Sequence, residues 1–187
     1  CPSRGLGDVY KRQVLGGDGH QPATEPGNPD IIYAQSQQGY INRIDMTNRE
    51  IVSIRPQESI DEPYERFNWD APILVSHHDP KRLYFGSQRV WRSENRGDSW
   101  STVSGDLTKD EERLSLPIMG SVQSFDNAWD VYAMSTYNTI TSLSESKIDE
   151  NILYVGTDDG IIQYTKNGGS SWTKLTCLLY TSDAADD

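Results

Sequence analysis

Two octapeptides of one design occur in this chain, Ser93-Glu94-Asn95-Arg96-Gly97-Asp98-Ser99-Trp100 and Thr165-Lys166-Asn167-Gly168-Gly169-Ser170-Ser171-Trp172. Each follows a second repeated block, Leu83-Tyr84-Phe85-Gly86 in one case and Leu153-Tyr154-Val155-Gly156 in the other. The blocks lie 70 residues apart and the octapeptides 72, a difference that a longer turn at Asp158-Asp159-Gly160 accommodates. Their residue types dictate a tight hairpin. A hydroxyl and then a short amide offer oxygens to the N–H groups of the turn, glycine takes the positive φ, and the closing indole is large enough to pack between two layers. A chain that repeats such a unit solves the same packing problem more than once, which points to an array of small sheets.

A third, weaker copy begins at Ile32-Tyr33-Ala34, 51 positions before Leu83-Tyr84-Phe85, and runs on through Tyr40-Ile41-Asn42-Arg43-Ile44-Asp45. A recurrence of about 50 residues with one insertion is the spacing of propeller blades. In the middle unit, runs of Tyr, Val, Ile, Trp and Thr predict strands over 72–76, 82–87, 90–94 and 99–104, and Asp79-Pro80, Gly86 and Arg96-Gly97 mark the turns between them. No helical period of comparable length competes; residues 107–116 are short and charged and read as an excursion between units. The expected fold is therefore all-β: a partial β-propeller of about three four-stranded antiparallel blades, near 14–55, 71–104 and 139–176, with loop insertions at 56–70 and 105–138.

The octapeptides resemble the Asp-box, the S-x-D-x-G-x-[ST]-W hairpin of neuraminidase repeats, with Asn95 and Asn167 in place of its aspartate and Thr165 in place of its serine. Ser93, Asn95, Gly97, Ser99 and Trp100, and likewise Thr165, Asn167, Gly169, Ser171 and Trp172, are expected to be architectural, because turn chemistry accounts for every position. Loss of the carboxylate removes a charge-assisted bond and is expected to loosen the loop. With Trp69-Asp70-Ala71-Pro72-Ile73-Leu74, His78-Asp79-Pro80, Leu143-Ser144-Glu145-Ser146 and Thr157-Asp158-Asp159-Gly160 added, residues 14–176 resemble the sortilin-like, Asp-box (BNR-repeat) propellers of large bacterial proteins that carry glycosyl hydrolase labels. That resemblance implies rings of seven or more blades and an extracellular or periplasmic home. The rest of such a ring is then this chain's first expected partner.

Composition narrows the partners. The 187 residues carry a formal charge of -11, which argues against a nucleic acid ligand, and no apolar run reaches membrane-spanning length. The ends stand apart. Asp8-Val9-Tyr10-Lys11-Arg12-Gln13 and Cys177-Leu178-Leu179-Tyr180-Thr181-Ser182 translate one DNA element read on opposite strands, an element resembling the transposase mosaic end of sequencing libraries. Residues 1–13 and 177–187 are accordingly expected to be translated adapter, with a parent protein extending past residues 14–176 on both sides. Both cysteines, Cys1 and Cys177, fall in those ends, so residues 14–176 offer no disulfide, thiolate metal site or Cys nucleophile.

Glycoside hydrolysis needs two carboxylates about 5–10 Å apart. The resemblance extends to xyloglucan-cleaving enzymes of tandem-propeller type, which implies one Asp per ring and hence at most one in this chain. Asp70, Asp126 and Asp130 are the candidates, since each sits in an aromatic-bearing insertion where a sugar could stack on Trp69 or Trp129. Turn capping and blade-interface packing account for the same residues without catalysis. No metal or cofactor is expected. Neighbouring His77 and His78 point to opposite faces of a strand, Asp158-Asp159-Gly160 is a hairpin turn without calcium-loop spacing, and Gly16-Gly17-Asp18-Gly19 lacks a following helix. Ser144-Glu145-Ser146 has no matching His for a serine hydrolase. The acidic stretches 58–65 and 106–112 read as solvated loop faces. The resulting expectation is a scaffold binding protein or glycan with no complete active site; the alternative is part of a propeller glycoside hydrolase working through paired Asp carboxylates.

Overall fold

The computed structural model describes residues 14–18, 21–118, 120–124, 126 and 136–176. Both adapter-like ends, 1–13 and 177–187, lie outside the described residues, as do Trp129 and Asp130. Strands in the described chain are short, because turn-forming residues recur every few positions. The first sheet comprises β1 (Ala23–Glu25), β2 (Asn28–Gln35), β3 (Ile41–Asp45) and β4 (Glu50–Ser53). The second comprises β5 (Ile73–Val75), β6 (Leu83–Gly86), β7 (Val90–Ser93) and β8 (Ser101–Thr102). Each strand pairs antiparallel with the next in sequence, so each sheet is a simple meander.

The connection after β8 carries a single 3₁₀ turn, Arg113–Ser115, and a two-stranded ribbon of β9 (Pro117–Ile118) and β10 (Ser121–Val122). Periodicity gave no sign of that ribbon, whose strands are two residues long. The third sheet follows as β11 (Ile140–Glu145), β12 (Leu153–Thr157), β13 (Ile162–Thr165) and β14 (Thr173–Lys174). Registers superimpose from sheet to sheet: Tyr33 faces Arg43, Tyr84 faces Arg92 and Tyr154 faces Tyr164.

Two apolar cores sit at the seams between sheets. Tyr33, Ile41 and Ile54 of the first sheet meet Val75, Leu83, Phe85 and Trp91 of the second, with Phe67 and Ala71 added by the connection between them. Tyr84 and Val90 of the second sheet meet Ile140, Leu153 and Val155 of the third, with Leu107. Alternation along β6 explains the pattern: Leu83 and Phe85 point to one seam and Tyr84 to the other, so the strand is buried throughout. Each fully buried side chain of this kind contributes about 1.5–3 kcal/mol. Gly86 lets the third sheet approach, since a Cβ there would stand 2.9 Å from both Ile140 Cγ2 and Pro72 Cγ.

The two Trp-ended hairpins join β7 to β8 and β13 to β14 and have the same internal bonding. Ser93 Oγ accepts from Gly97 N at 2.8 Å, and Thr165 Oγ1 from Gly169 N at 3.0 Å. Asn95 Oδ1 accepts from Ser99 N at 2.9 Å, and Asn167 Oδ1 from Ser171 N at 2.9 Å. In both, the amide Nδ2 donates to the following serine hydroxyl at 2.9 Å, a bond that a carboxylate cannot donate. The expected loosening is thus offset by the amide donor that asparagine has and aspartate lacks. Each hairpin also reaches back across a seam, placing its indole on the residue that leaves the outer strand of the preceding sheet. Trp100 Nε1 donates to Ile54 O at 2.7 Å and Trp172 Nε1 to Val103 O at 3.0 Å.

Candidate functional site

At the end of the sheets opposite the hairpin turns, the long connections into β5 and β11 meet the β2–β3, β6–β7 and β12–β13 loops. The first connection is fastened by Glu65. Its buried carboxylate accepts from Arg89 Nε at 2.6 Å, from Trp91 Nε1 at 3.0 Å and from Ser87 Oγ. The stretch 58–65 is therefore not simply a solvated face: its last carboxylate is taken inside because four donors of the second sheet converge there, Gln88 Nε2 at 3.4 Å being the fourth, which offsets the cost of desolvating it. Its neighbour Glu62 stays at the surface on the same arginine, and the Arg89 hydrogen bond holds its carboxyl down at about 2.

Arg66 ties this connection to the second one. Its guanidinium reaches Asp106 at 2.6 Å, Asp110 at 3.1 Å and the Asn138 carbonyl at 3.2 Å, so part of the 106–112 acidic stretch is likewise paired. Asn68 then bridges to the third sheet, donating to Thr139 Oγ1 at 2.9 Å and accepting from Asp70 N at 3.1 Å. The Trp69 carbonyl accepts from Gln38 N at 3.2 Å and Gln35 Nε2 at 3.3 Å, which docks the same segment on the first sheet. Residues 65–70 consequently touch all three sheets.

An aromatic group crowns this segment. The Arg55 guanidinium lies 5.1 Å from the ring centres of both Tyr40 and Phe67 and is held between them by cation–π attraction. Gly39 is required beside Phe67, since a Cβ there would fall 2.3 Å from the ring. Tyr40 and Trp69 are both exposed and open to a flat ligand, as is Tyr64 earlier in the same connection. On the third-sheet side, Arg113 lies 4.7 Å over the Tyr137 ring. Desolvation, with the carboxylates of Asp159, Glu111 and Asp158 nearby, raises the Tyr137 phenol.

The sequence candidates separate. Asp70 is half-buried next to exposed Trp69 in the fastened segment. Asp126 is exposed in the second connection, its N–H bonded to Ser124 Oγ at 3.0 Å. Trp129 and Asp130 lie outside the described residues. Asp158 and Asp159 are spent on protein donors, Thr139 N at 2.9 Å and Lys109 N at 2.5 Å. Exposed His78 bonds the Ser146 carbonyl through Nε2 at 2.8 Å, and among the described residues no group of three or more His, Cys, Asp or Glu is placed to hold a metal. Among the same residues no helix is long and apolar enough to cross a membrane. Sequence reasoning missed Glu65, Arg66 and Tyr40. The available signal was a lone Glu-Arg pair between aromatics, Tyr64-Glu65-Arg66-Phe67.

No protein-family model matches the sequence, and no curated protein does. Among solved structures, a GH74 enzyme of Niastella koreensis aligns at TM-score 0.50 and 14% identity, covering 82% of this chain and 22% of its own. The GH74 xyloglucanase of Xanthomonas campestris aligns at TM-score 0.43 and 14% identity, covering 89% of this chain and 32% of its own. The chain thus spans less than a third of the length of either. At such identity the first likeness bears on fold alone, and it agrees with the topology: the chain is all-β, a partial β-propeller of three four-stranded antiparallel sheets.

Proposed function

We propose that this chain is a wedge of a larger, exported propeller protein and that the surface around Trp69 and Tyr40 binds a glycan. The observation that carries the reading is exposed Trp69 on a segment fastened to three sheets, with exposed Tyr40 on the β2–β3 loop to which that segment is docked, since a rigid aromatic platform binds a sugar face at little entropic cost. The Asp-box-like hairpins serve the scaffold in this reading, with sheets near 14–55, 71–104 and 139–176 as its blades. Affinity electrophoresis in gels containing a soluble β-glucan tests it: the chain is retarded, and Trp69→Ala weakens retardation at least tenfold, the equivalent of about 1.4 kcal/mol. Equal mobility with and without glucan refutes it.

A second reading is favoured by the place of Asp70 beside Trp69. In that case the parent is a glycoside hydrolase, Asp70 supplies one carboxylate, and the other comes from outside this chain, as the two-carboxylate chemistry demands. Asp126 and Asp130 are weaker candidates for the same role, and Trp129 for stacking. Reducing-sugar release by the full-length parent, abolished by Asp70→Ala, is its expected signature. Release that survives that substitution removes Asp70 from the chemistry.

A further inference from the structure

Equivalent positions in the three sheets have different fates. Tyr33 and Tyr84 are 0% and 1% exposed, whereas Tyr154, at the same register, is 44% exposed. Ile41 and Val90 are both 0% exposed, whereas Ile162, their counterpart, is 39% exposed. The first of each set is covered by the second sheet and the second by the third. Around the uncovered members runs a groove of about 410 Å³, lined by Leu143, Tyr154, Val155, Gly156, Ile161 and Ile162.

The outer strand ends in the same way each time. Ile54 N bonds Ile41 O at 3.1 Å, Val103 N bonds Val90 O at 2.9 Å, and Leu175 N bonds Ile162 O at 2.8 Å. Ile54 and Val103 then take the indole and the glycine of the next hairpin: a Cβ on Gly97 would stand 2.6 Å from Ile54 Cδ1, and one on Gly169 would stand 2.3 Å from Val103 O. Leu175 stands where those two stand, and among the described residues no indole reaches it.

We infer that the open face of the third sheet is a docking surface for one further four-stranded blade whose outer hairpin ends in Gly-x-Ser/Thr-Trp, its indole donating to the Leu175 carbonyl. Continuity with two existing seams identifies the occupant. A second copy of this chain fits less well, because the β3–β4 turn of its first sheet, Met46-Thr47-Asn48-Arg49, has neither glycine nor tryptophan to offer. The incoming hairpin also meets a different residue at one point. Arg43 bonds Asp98 of the second sheet's hairpin at 2.8 Å, but its counterpart in the third sheet is Tyr164, stacked 5.9 Å from Tyr154. No acidic residue is called for there.

This inference deepens the wedge part of the proposed function and is independent of glycan binding. The test inserts a second copy of residues 105–176 directly after Thr176, so that Thr176 takes the place of Ser104 and the copied hairpin is offered to Leu175. The expected results are a monomer by sedimentation and a higher thermal midpoint than the starting chain. Amide exchange across residues 154–164 slows at least tenfold. Alanine at the copied counterpart of Trp172 removes both gains. Tyr154→Arg removes them too: the extended chain carrying it melts no higher than the starting chain carrying the same substitution. Unchanged exchange over 154–164 overturns the inference. So does a starting chain that is already a dimer dissociated by Tyr154→Arg, which would assign the face to a second copy. Glucan retardation, read on the same samples, reports separately on the loop end, so failure of one reading leaves the other standing.

Discussion

The seam between the first and second sheets and the seam between the second and third share a skeleton and differ in their charges. Both are closed by an indole N–H on the exit of the preceding outer strand and by glycine backed against that same residue. Around this staple the first seam adds a two-pronged Arg96–Glu25 pair, at 2.6 and 2.9 Å, and the Arg43–Asp98 pair at 2.8 Å. The second seam instead gives its buried Glu145 to neutral donors, Ser76 Oγ at 2.8 Å and His77 N at 2.8 Å. The second seam has an ion pair too, Arg82 to Glu150 at 2.5 Å, but on a carboxylate that is half-exposed rather than buried. The hairpin is therefore the repeated instruction, and the seams differ in whether their buried carboxylate is met by an arginine or by neutral donors.

Removing the staple is the harshest way to break that comparison. Trp100→Ala and Trp172→Ala each lose a half-buried indole and leave a gap between sheets, an expected cost of about 3 kcal/mol by analogy with large-to-small core changes. Denaturant unfolding should return similar losses for the two, because the skeleton is common. A loss at one position and none at the other would mean that the seams are held by different things. Next in size are the buried carboxylates. Glu25→Ala strands Arg96, which is 36% exposed and can partly rehydrate, so a cost of about 2–3 kcal/mol is expected, below the fully buried case. Glu145→Ala leaves only neutral donors unpaired and should cost about 1–2 kcal/mol, so the inequality itself tests the contrast between seams.

One titration acts on both seams. Tyr33 and Tyr84 stand at equivalent positions, and burial raises both phenols above their ordinary 10.0, with Glu25 adding to it in the first case and Glu145 in the second. A raised folded value means that the stabilisation is complete below pH 10 and is lost as pH climbs above it toward the folded values. Unfolding free energy should therefore fall on the alkaline side of pH 10 in the intact chain. Tyr33→Phe should flatten that fall more than Tyr84→Phe, because the buried Tyr33 phenol is raised further, and a flattening from Tyr84→Phe alone would locate the alkaline weakness in the second seam.

Much of this skeleton was legible in the sequence. Strands expected at 72–76, 82–87 and 90–94 appear as Ile73–Val75, Leu83–Gly86 and Val90–Ser93, because turn residues bound each of them closely. The strand expected at 99–104 shrinks to Ser101–Thr102, since Trp100 turns inward to the seam and Val103 leaves the sheet to receive the next hairpin. The loop end was less legible. Glu65 looks like any acidic loop residue until Ser87, Arg89 and Trp91 are brought around it, 22 to 26 positions away in sequence. Trp69 could be singled out because an indole in a polar insertion needs a reason; Tyr40 could not, because its strand-edge position resembles that of any seam tyrosine.

The smallest expected effect concerns the departure from the Asp-box pattern that the resemblance made visible. In each hairpin the asparagine oxygen accepts from a backbone N–H at 2.9 Å while its amide donates to a serine hydroxyl, at Ser99 in one and Ser171 in the other. Asn95→Asp loses the amide donor, but the Ser99 hydroxyl can rotate to donate instead, so the number of bonds survives and the remaining ones become charge-assisted. Asp98, exposed in the same turn and already paired with Arg43, adds like-charge repulsion that screening keeps small. The net change should be a gain of less than about 1 kcal/mol at neutral pH. That gain should vanish as the new carboxyl protonates in acid. The same exchange at Asn167 should give the larger gain, because Ser170 stands where the first hairpin has Asp98. Equal gains at pH 7 would mean that Asp98 is electrically silent in its hairpin.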